Sequence, residues 1–154
     1  MRRMNAAIDK LAELIPLAEY KAEKVSQWSV GQHVEHSLLA TIAMCEALSS
    51  STAGEKTQRF SWSRWVIFTL GRFPRGKAKA PEQVIPEEKP SPERLEELMK
   101  TAHACYENAE AADPHQWFRH FIFGVLNKRT TLRLIAIHNN HHLKIIRDIL
   151  RCSN

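Results

Sequence analysis

His138 and His142 stand four residues apart in the apolar run from Leu132 to Leu150, within His-Asn-Asn-His-His. At about 3.6 residues per helical turn they lie one above the other on one helix face, about 6 Å apart at their Cβ atoms, and both rings can reach one metal ion. Ile135, Ile145 and Ile149 continue that face at three- and four-residue steps, so the two imidazoles occupy positions of a core stripe. Burying a polar ring without a partner costs roughly 1–3 kcal/mol, and one divalent cation would satisfy two rings at once. The bland alternative is a pair of core histidines bonded to backbone or water, since a two-residue H-x-x-x-H motif arises readily by chance. A third ligand elsewhere in the chain would favour the metal.

His36 supplies it. It continues into Leu39, Ala40, Ala43 and Ala47 as the stripe of a second amphipathic helix, expected from Val30 to about Ser49. Ser29 is placed to cap that helix, with Gln32 three residues on as its capping-box partner. Three neutral imidazoles suit zinc, nickel, copper or ferrous iron and leave coordination positions open to water or substrate. His33, one turn before His36, and His141, beside His142, are alternative ligands; His141, about 100° off the ligand direction, is expected to face a neighbouring helix or solvent as a supporting group. Glu35 is offset from His36 and is expected to be solvated, which leaves no carboxylate on the ligand face. His103 is expected to be partly exposed and satisfied, and His115 and His120 to take surface or capping roles.

Four helices must position these rings. Ile8, Leu11, Leu14, Ile15 and Ala18 give a helical period from about Met4 to Tyr20, with Pro16 expected to kink or end the helix near Ile15. The second helix is followed by a Ser/Thr/Gly-rich loop, Ser49 to Glu55. Then comes an aromatic stretch, Phe60 to Phe73, read as a short helix or hairpin-like segment packed over one end of a bundle. Arg72, Arg75, Lys77 and Lys79 put four cations into residues 72–79 between prolines, a basic loop that is either solvated or meets an anionic substrate group near the metal through Arg75 and Lys77. Ser91-Pro92-Glu93 opens a third helix that runs to about Ala111, and Asp113-Pro114 follows it. His115 to Leu126 reads as a loop into the last helix, capped by Asn127 and running from Lys128 to Arg151. The sum is an all-α four-helix bundle with a connection of about forty residues, Ser50 to Pro90, between the second and third helices.

Composition narrows the class. The chain has 154 residues, 44% hydrophobic and 25% charged, and is read as one domain over 1–154. No apolar run approaches a membrane span and no signal-peptide pattern opens the chain, so a cytoplasmic location away from membranes is expected. Cys45, Cys105 and Cys152 are widely spaced, which argues against disulfides or a thiolate zinc site. A net charge of +5 is a mild excess and makes a weak case for nucleic acid. Walker, dinucleotide and serine-hydrolase glycine motifs are absent from the sequence.

Trp28-Ser29-x-x-Gln32-x-Val34-x-His36 resembles the opening W-S-x-x-E-x-L-x-H motif of the DinB/YfiT-like superfamily, and His138-x-x-x-His142 resembles its closing motif. The F-G-x-L sequence at Phe123 to Leu126 and the R-G-K-x-x-x-P segment from Arg75 to Pro81 extend the resemblance over nearly the whole chain. Gln32 departs from the usual glutamate at a position that is not a ligand in the family pattern. The resemblance implies a DinB-like bundle with His36, His138 and His142 as metal ligands. It also implies a reaction class, because the superfamily includes transferases that use low-molecular-weight thiols. In that reading a zinc, nickel or iron ion holds the thiol as thiolate, Arg75 and Lys77 receive the thiol's carboxylates, and an electrophile is attacked from the bundle mouth. The alternatives are a non-catalytic metal-binding or stress-response module, expected as a homodimer, and a metal-dependent hydrolase, which would want an acid/base carboxylate beside its water.

Overall fold

The structure is a computed structural model that describes residues 2–51, 53, 62–71, 73 and 81–152, the side chains of residues 2–5 and 63 excepted. The elements are α1 (Arg2–Ala12), α2 (Val30–Ser49), α3 (Trp62–Leu70), α4 (Pro92–Ala111), a hairpin of β1 (Trp117–His120) and β2 (Gly124–Asn127), and α5 (Lys128–Cys152). The fold is an all-α bundle. Its core helices are α1, α2, α4 and α5, with α2 packed between α4 and α5 and α1 laid against both of those partners.

The first helix is shorter than its hydrophobic period suggests. It ends at Ala12, and Pro16 sits in a separate 3₁₀ turn, Ile15–Leu17, closed by Leu17 N–H on the Leu14 carbonyl (3.0 Å) and Ala18 N–H on that of Ile15 (3.1 Å). The proline ring, having no N–H to give, is tolerated in the first turn of such an element and would break the interior of a longer one.

The chain leaving this turn completes the start of α2. Val30 N–H donates to the Tyr20 carbonyl (2.9 Å) and Gly31 N–H to that of Ala18 (2.8 Å). Gln32 N–H donates to Ser29 Oγ (3.2 Å) while Ser29 N–H donates back to Gln32 Oε1 (2.9 Å), so the capping box is complete. Each otherwise orphaned donor of the first turn therefore has an acceptor. Gly31 permits the approach, because a Cβ there would lie 2.9 Å from the Ala18 Cβ and 3.1 Å from its carbonyl oxygen.

With one helix packed on either side, α2 is buried around most of its circumference: Val30, Val34, Leu38, Cys45 and Leu48 are fully covered. Leu95, Ala102 and Tyr106 from α4 and Leu134, Ile135, Ile146 and Ile149 from α5 fill the same core. As the sequence indicates, Ser91 caps α4 through Arg94 N–H (3.2 Å) with Pro92 at its first position, and Asn127 Oδ1 caps α5 through Thr130 N–H (3.0 Å).

The segment expected as a plain loop before the last helix is a two-stranded antiparallel hairpin, paired from Trp117 opposite Asn127 to His120 opposite Gly124. Residues 121–123 make the turn and Gly124 closes it at φ +69°, a conformation that glycine adopts at no steric cost. His120 Nδ1 accepts Ile122 N–H (3.1 Å) and Phe123 N–H (3.4 Å), so a histidine caps the turn where asparagine or aspartate is usual. The long connection contains α3 and a 3₁₀ turn, Glu82–Val84. Among the described residues, no helix is long and apolar enough to cross a membrane.

Candidate metal centre

His36 from α2 and His138 and His142 from α5 meet where these helices pack. One ring nitrogen from each lies within 4.8 Å of the others. The ring centroids are 5.0 Å apart for His36 and His138, 4.8 Å for His36 and His142, and 4.6 Å for His138 and His142. Among the described residues, the group contains no carboxylate and no thiol. Cys45 is buried, with its thiol pushed up to about 12 chiefly by burial, so it is held as an inert free thiol.

Each ring is fixed from outside the cluster. His36 Nδ1–H donates to the Val84 carbonyl (2.7 Å), which leaves the Nε2 lone pair available. Val84 belongs to a strap held on one face of α2: Glu87 N–H donates to Glu35 Oε2 (2.8 Å) and Gln32 Nε2–H to the Glu87 carbonyl (3.2 Å). Arg94 Nε–H in turn binds Glu35 Oε1 at 2.5 Å. Glu35 is thus not solvated as expected. It is fully buried, and its two oxygens are engaged by the strap and by Arg94, which removes it as a candidate base and makes it the clamp of the segment that orients His36.

His142 is set from the other side. Its Nδ1 lies 2.9 Å from the Nδ1 of His33, whose Nε2 lies 2.9 Å from Ser26 Oγ. The His33 ring is therefore outside the group of three, as a supporting residue. Asn139, fully buried between the two α5 histidines in sequence, donates through Nδ2–H to Thr41 Oγ1 (3.2 Å), while Thr41 donates to the Ser37 carbonyl (2.8 Å). This bond ties α5 to α2 and fixes their register.

His138 keeps part of its surface open, yet its Nδ1 is buried and has no hydrogen-bond partner among the described residues. A buried ring nitrogen without a partner is costly in an ordinary core histidine and fits a cation-binding ring. Burial lowers the pKa of all three histidines. For His138 the value falls to about 3, through burial first and then the neighbouring His36 and His141 rings, and His142 is lowered by the same kind of causes. For His36 the hydrogen bond to Val84 opposes the effect of burial. Three neutral imidazoles at neutral pH are the protonation states that a divalent ion needs.

Aromatic rings wall the cluster. Trp28 lies against His33 (5.4 Å) and His36 (5.0 Å), and Phe73 lies edge-on to His138 (5.7 Å) and His141 (5.6 Å). His141 packs on His142 and Phe73, offset from the group of three as its helical phase requires. His103 pairs with Asp9 at 3.4 Å, His115 is exposed, and His120 caps the hairpin turn, all away from a ligand role. Arg75 and Lys77 lie outside the described residues. His33, Ser26, Val84 and Asn139 carry no motif of their own. The signal that was available for Asn139 was a polar residue at a core position of α5, one step from His138.

No curated protein and no solved structure matches the chain. The sequence profile of the DinB superfamily matches residues 1–146, with His36 near the start of that span and the histidine pair near its end. The chain belongs to the DinB superfamily.

Proposed function

We propose that His36, His138 and His142 are the ligands of one divalent ion and that the protein is a thiol-dependent transferase. The observation that carries the first part is the convergence of three neutral imidazoles to within 4.8 Å beside an unsatisfied buried ring nitrogen. What favours transfer over hydrolysis is the absence of a carboxylate from the group among the described residues, Glu35 being committed to Arg94 and Glu87. A water nucleophile would want a nearby base, whereas a thiol needs only a lowered pKa. When bound, a zinc, nickel or ferrous ion supplies the Lewis acidity for that.

The chain's own residues do the rest. The Val84 carbonyl and His33 orient the rings, and Trp28 and Phe73 exclude water from two sides. Access is on the side of His138, the most exposed of the three residues. Arg75 and Lys77, which follow Phe73 by two and four residues in sequence, receive the thiol's carboxylates. In the reaction the thiol proton passes to solvent, sulfur bonds to the electrophilic carbon, and the leaving group departs with its electron pair.

The test combines metal content with turnover. Plasma mass spectrometry should find about one metal ion per chain, lost in both His36→Ala and His142→Ala. Glutathione, bacillithiol and mycothiol, each offered with a panel of electrophiles, should give adducts that disappear on chelation, and Arg75→Ala with Lys77→Ala should raise the thiol's KM. Metal binding without adducts from any thiol would leave a binding module, and unchanged metal content in the histidine variants would overturn the ligand set.

A further inference from the structure

We infer that His33 is a positioning residue for this centre: it holds His142 in the tautomer that leaves the His142 Nε2 lone pair free for the cation. The inference rests on the metal reading above and adds to it a residue outside the ligand set. His33 Nδ1 and His142 Nδ1 are 2.9 Å apart, a hydrogen-bond distance, so one of them carries the proton and the other accepts it. If His33 donated, His142 would carry its own proton on Nε2 and would have no lone pair to give there. If His142 donates, its Nε2 is unprotonated and His33 must carry its proton on its own Nε2.

The far end of the pair accommodates the second arrangement, and the cation's need for a lone pair on His142 Nε2 selects it. His33 Nε2 lies 2.9 Å from Ser26 Oγ, an oxygen that also accepts Trp28 N–H at 3.1 Å. With the cation on His142 Nε2, the directed chain is His142 Nδ1–H to His33 Nδ1, then His33 Nε2–H to Ser26 Oγ. Position 33 must offer an acceptor, which lysine and arginine, having donors alone, cannot. Packing keeps the pair from turning: His33 is 3% exposed, and the Trp28 ring lies 5.4 Å from it and 5.0 Å from His36. One tryptophan thus braces the ligand on α2 and the residue that orients the ligand on α5. His36 is oriented by a backbone carbonyl, which mutation cannot remove, whereas His142 is oriented by a side chain, which mutation can.

The experiment uses the full chain labelled with ¹⁵N at histidine, unaltered and as His33→Leu, His33→Gln and Ser26→Ala. Zinc affinity is measured by chelator competition, and the His142 tautomer is read from ¹⁵N shifts in the metal-free protein. The unaltered chain should show Nδ1–H at His142. His33→Leu should bind zinc some 10- to 100-fold more weakly, the usual range for losing a group that orients a ligand, with one zinc per chain still reached at saturation. His33→Gln, whose amide oxygen accepts the same proton, should recover most of the affinity, which a merely space-filling role for His33 does not predict. Ser26→Ala should let the His33 ring reverse and produce both tautomers at His142, and it carries the test if His33→Leu does not fold. Equal zinc affinity in His33→Leu, or an Nε2–H tautomer at His142 in the unaltered chain, would overturn the inference. Failure of the unaltered chain to bind zinc would instead overturn the metal reading, and the tautomer spectra would still decide the role of His33.

Discussion

Along the seam between α2 and α5 the polar side chains of His33, Glu35, Ser37, Thr41, Asn139 and His142 are buried, whereas α3 turns Trp62, Trp65 and Leu70 outward at 70%, 53% and 57% exposure. The seam is a core made of polar groups, each with a partner: the strap, Arg94, Ser26, the facing helix or, for the Ser37 hydroxyl, the His33 carbonyl one turn back (2.8 Å). On α3 the inward residues are Ile67 and Phe68, and arginines hold the element to its neighbours. Arg64 donates to the Val125 carbonyl (3.1 Å), and Arg133 donates to that of Phe68 (2.7 Å). Position for position, the buried groups of the seam are costly to place and leave little freedom, whereas the outward groups of α3 leave the seam unconstrained. Orientation at the candidate centre is therefore a property of the α2–α5 seam and its strap, and changes in the two regions should differ in size.

Acid should have the largest effect. In the unfolded chain His138 and His120 take up protons near 6.5; in the folded chain His138 does so only at about 3 and His120 at about 4, mainly because the fold strips water from both rings. Between those values the unfolded state holds more protons, so folding stability falls as pH drops below about 6.5, by up to roughly 1.4 kcal/mol per pH unit for each ring. The slope fades over about one pH unit above that value. Urea unfolding of the metal-free protein at pH 7.5, 6.5 and 5.5 should give similar midpoints at the first two and a clear loss at the third. His120→Asn, which keeps an acceptor for the hairpin turn, should remove only the His120 share. A midpoint that stays constant to pH 5.5 would show that the rings are not held neutral.

The next effect is at Glu35. Glu35→Ala removes the acceptor of Glu87 N–H and one partner of Arg94, but Arg94 retains Glu87 at 3.1 Å and is half exposed, so no charge is stranded in the core. The expected destabilisation is about 1–3 kcal/mol, as for an unsatisfied buried donor. Metal affinity should fall as well, because the loosened strap carries the carbonyl that orients His36. Glu35→Gln retains an acceptor for Glu87 N–H and should be milder on both counts. Were Glu35→Ala to lose stability with metal affinity unchanged, the strap would be structural only.

Much of this was legible in the sequence, and the reason is local. Ser29 with Gln32, Ser91 with Pro92, and Asn127 each place a helix end by chemistry within three residues, and the structure puts α2 and α4 at the expected limits. The three clustered histidines were legible because helical periodicity assigns each to a core face. The misreadings have longer range. Glu35 looks solvated from its own helix, and only Arg94, 59 residues away, and Glu87 make its burial tolerable. His33 gains its role from a partner 109 residues distant. The hairpin was hidden because its strands have four residues each and its turn is capped by a histidine, which left Gly124 as the one clear cue.

The smallest effect should come from the outer face of α3. Trp65→Ser and Leu70→Ser change residues more than half exposed, and surface substitutions of this kind ordinarily stay within about 0.5 kcal/mol. Ile67→Ala, two residues from Trp65 on the same helix, removes a side chain that is 5% exposed and should cost about 2–4 kcal/mol. The three variants share one helix and nearly one helical propensity context, so the difference between them isolates burial. Urea midpoints would measure it directly. If Trp65→Ser or Leu70→Ser proved as damaging as Ile67→Ala, the outer face of α3 would be covered in solution, and the contrast with the seam would have to be redrawn around whatever covers it.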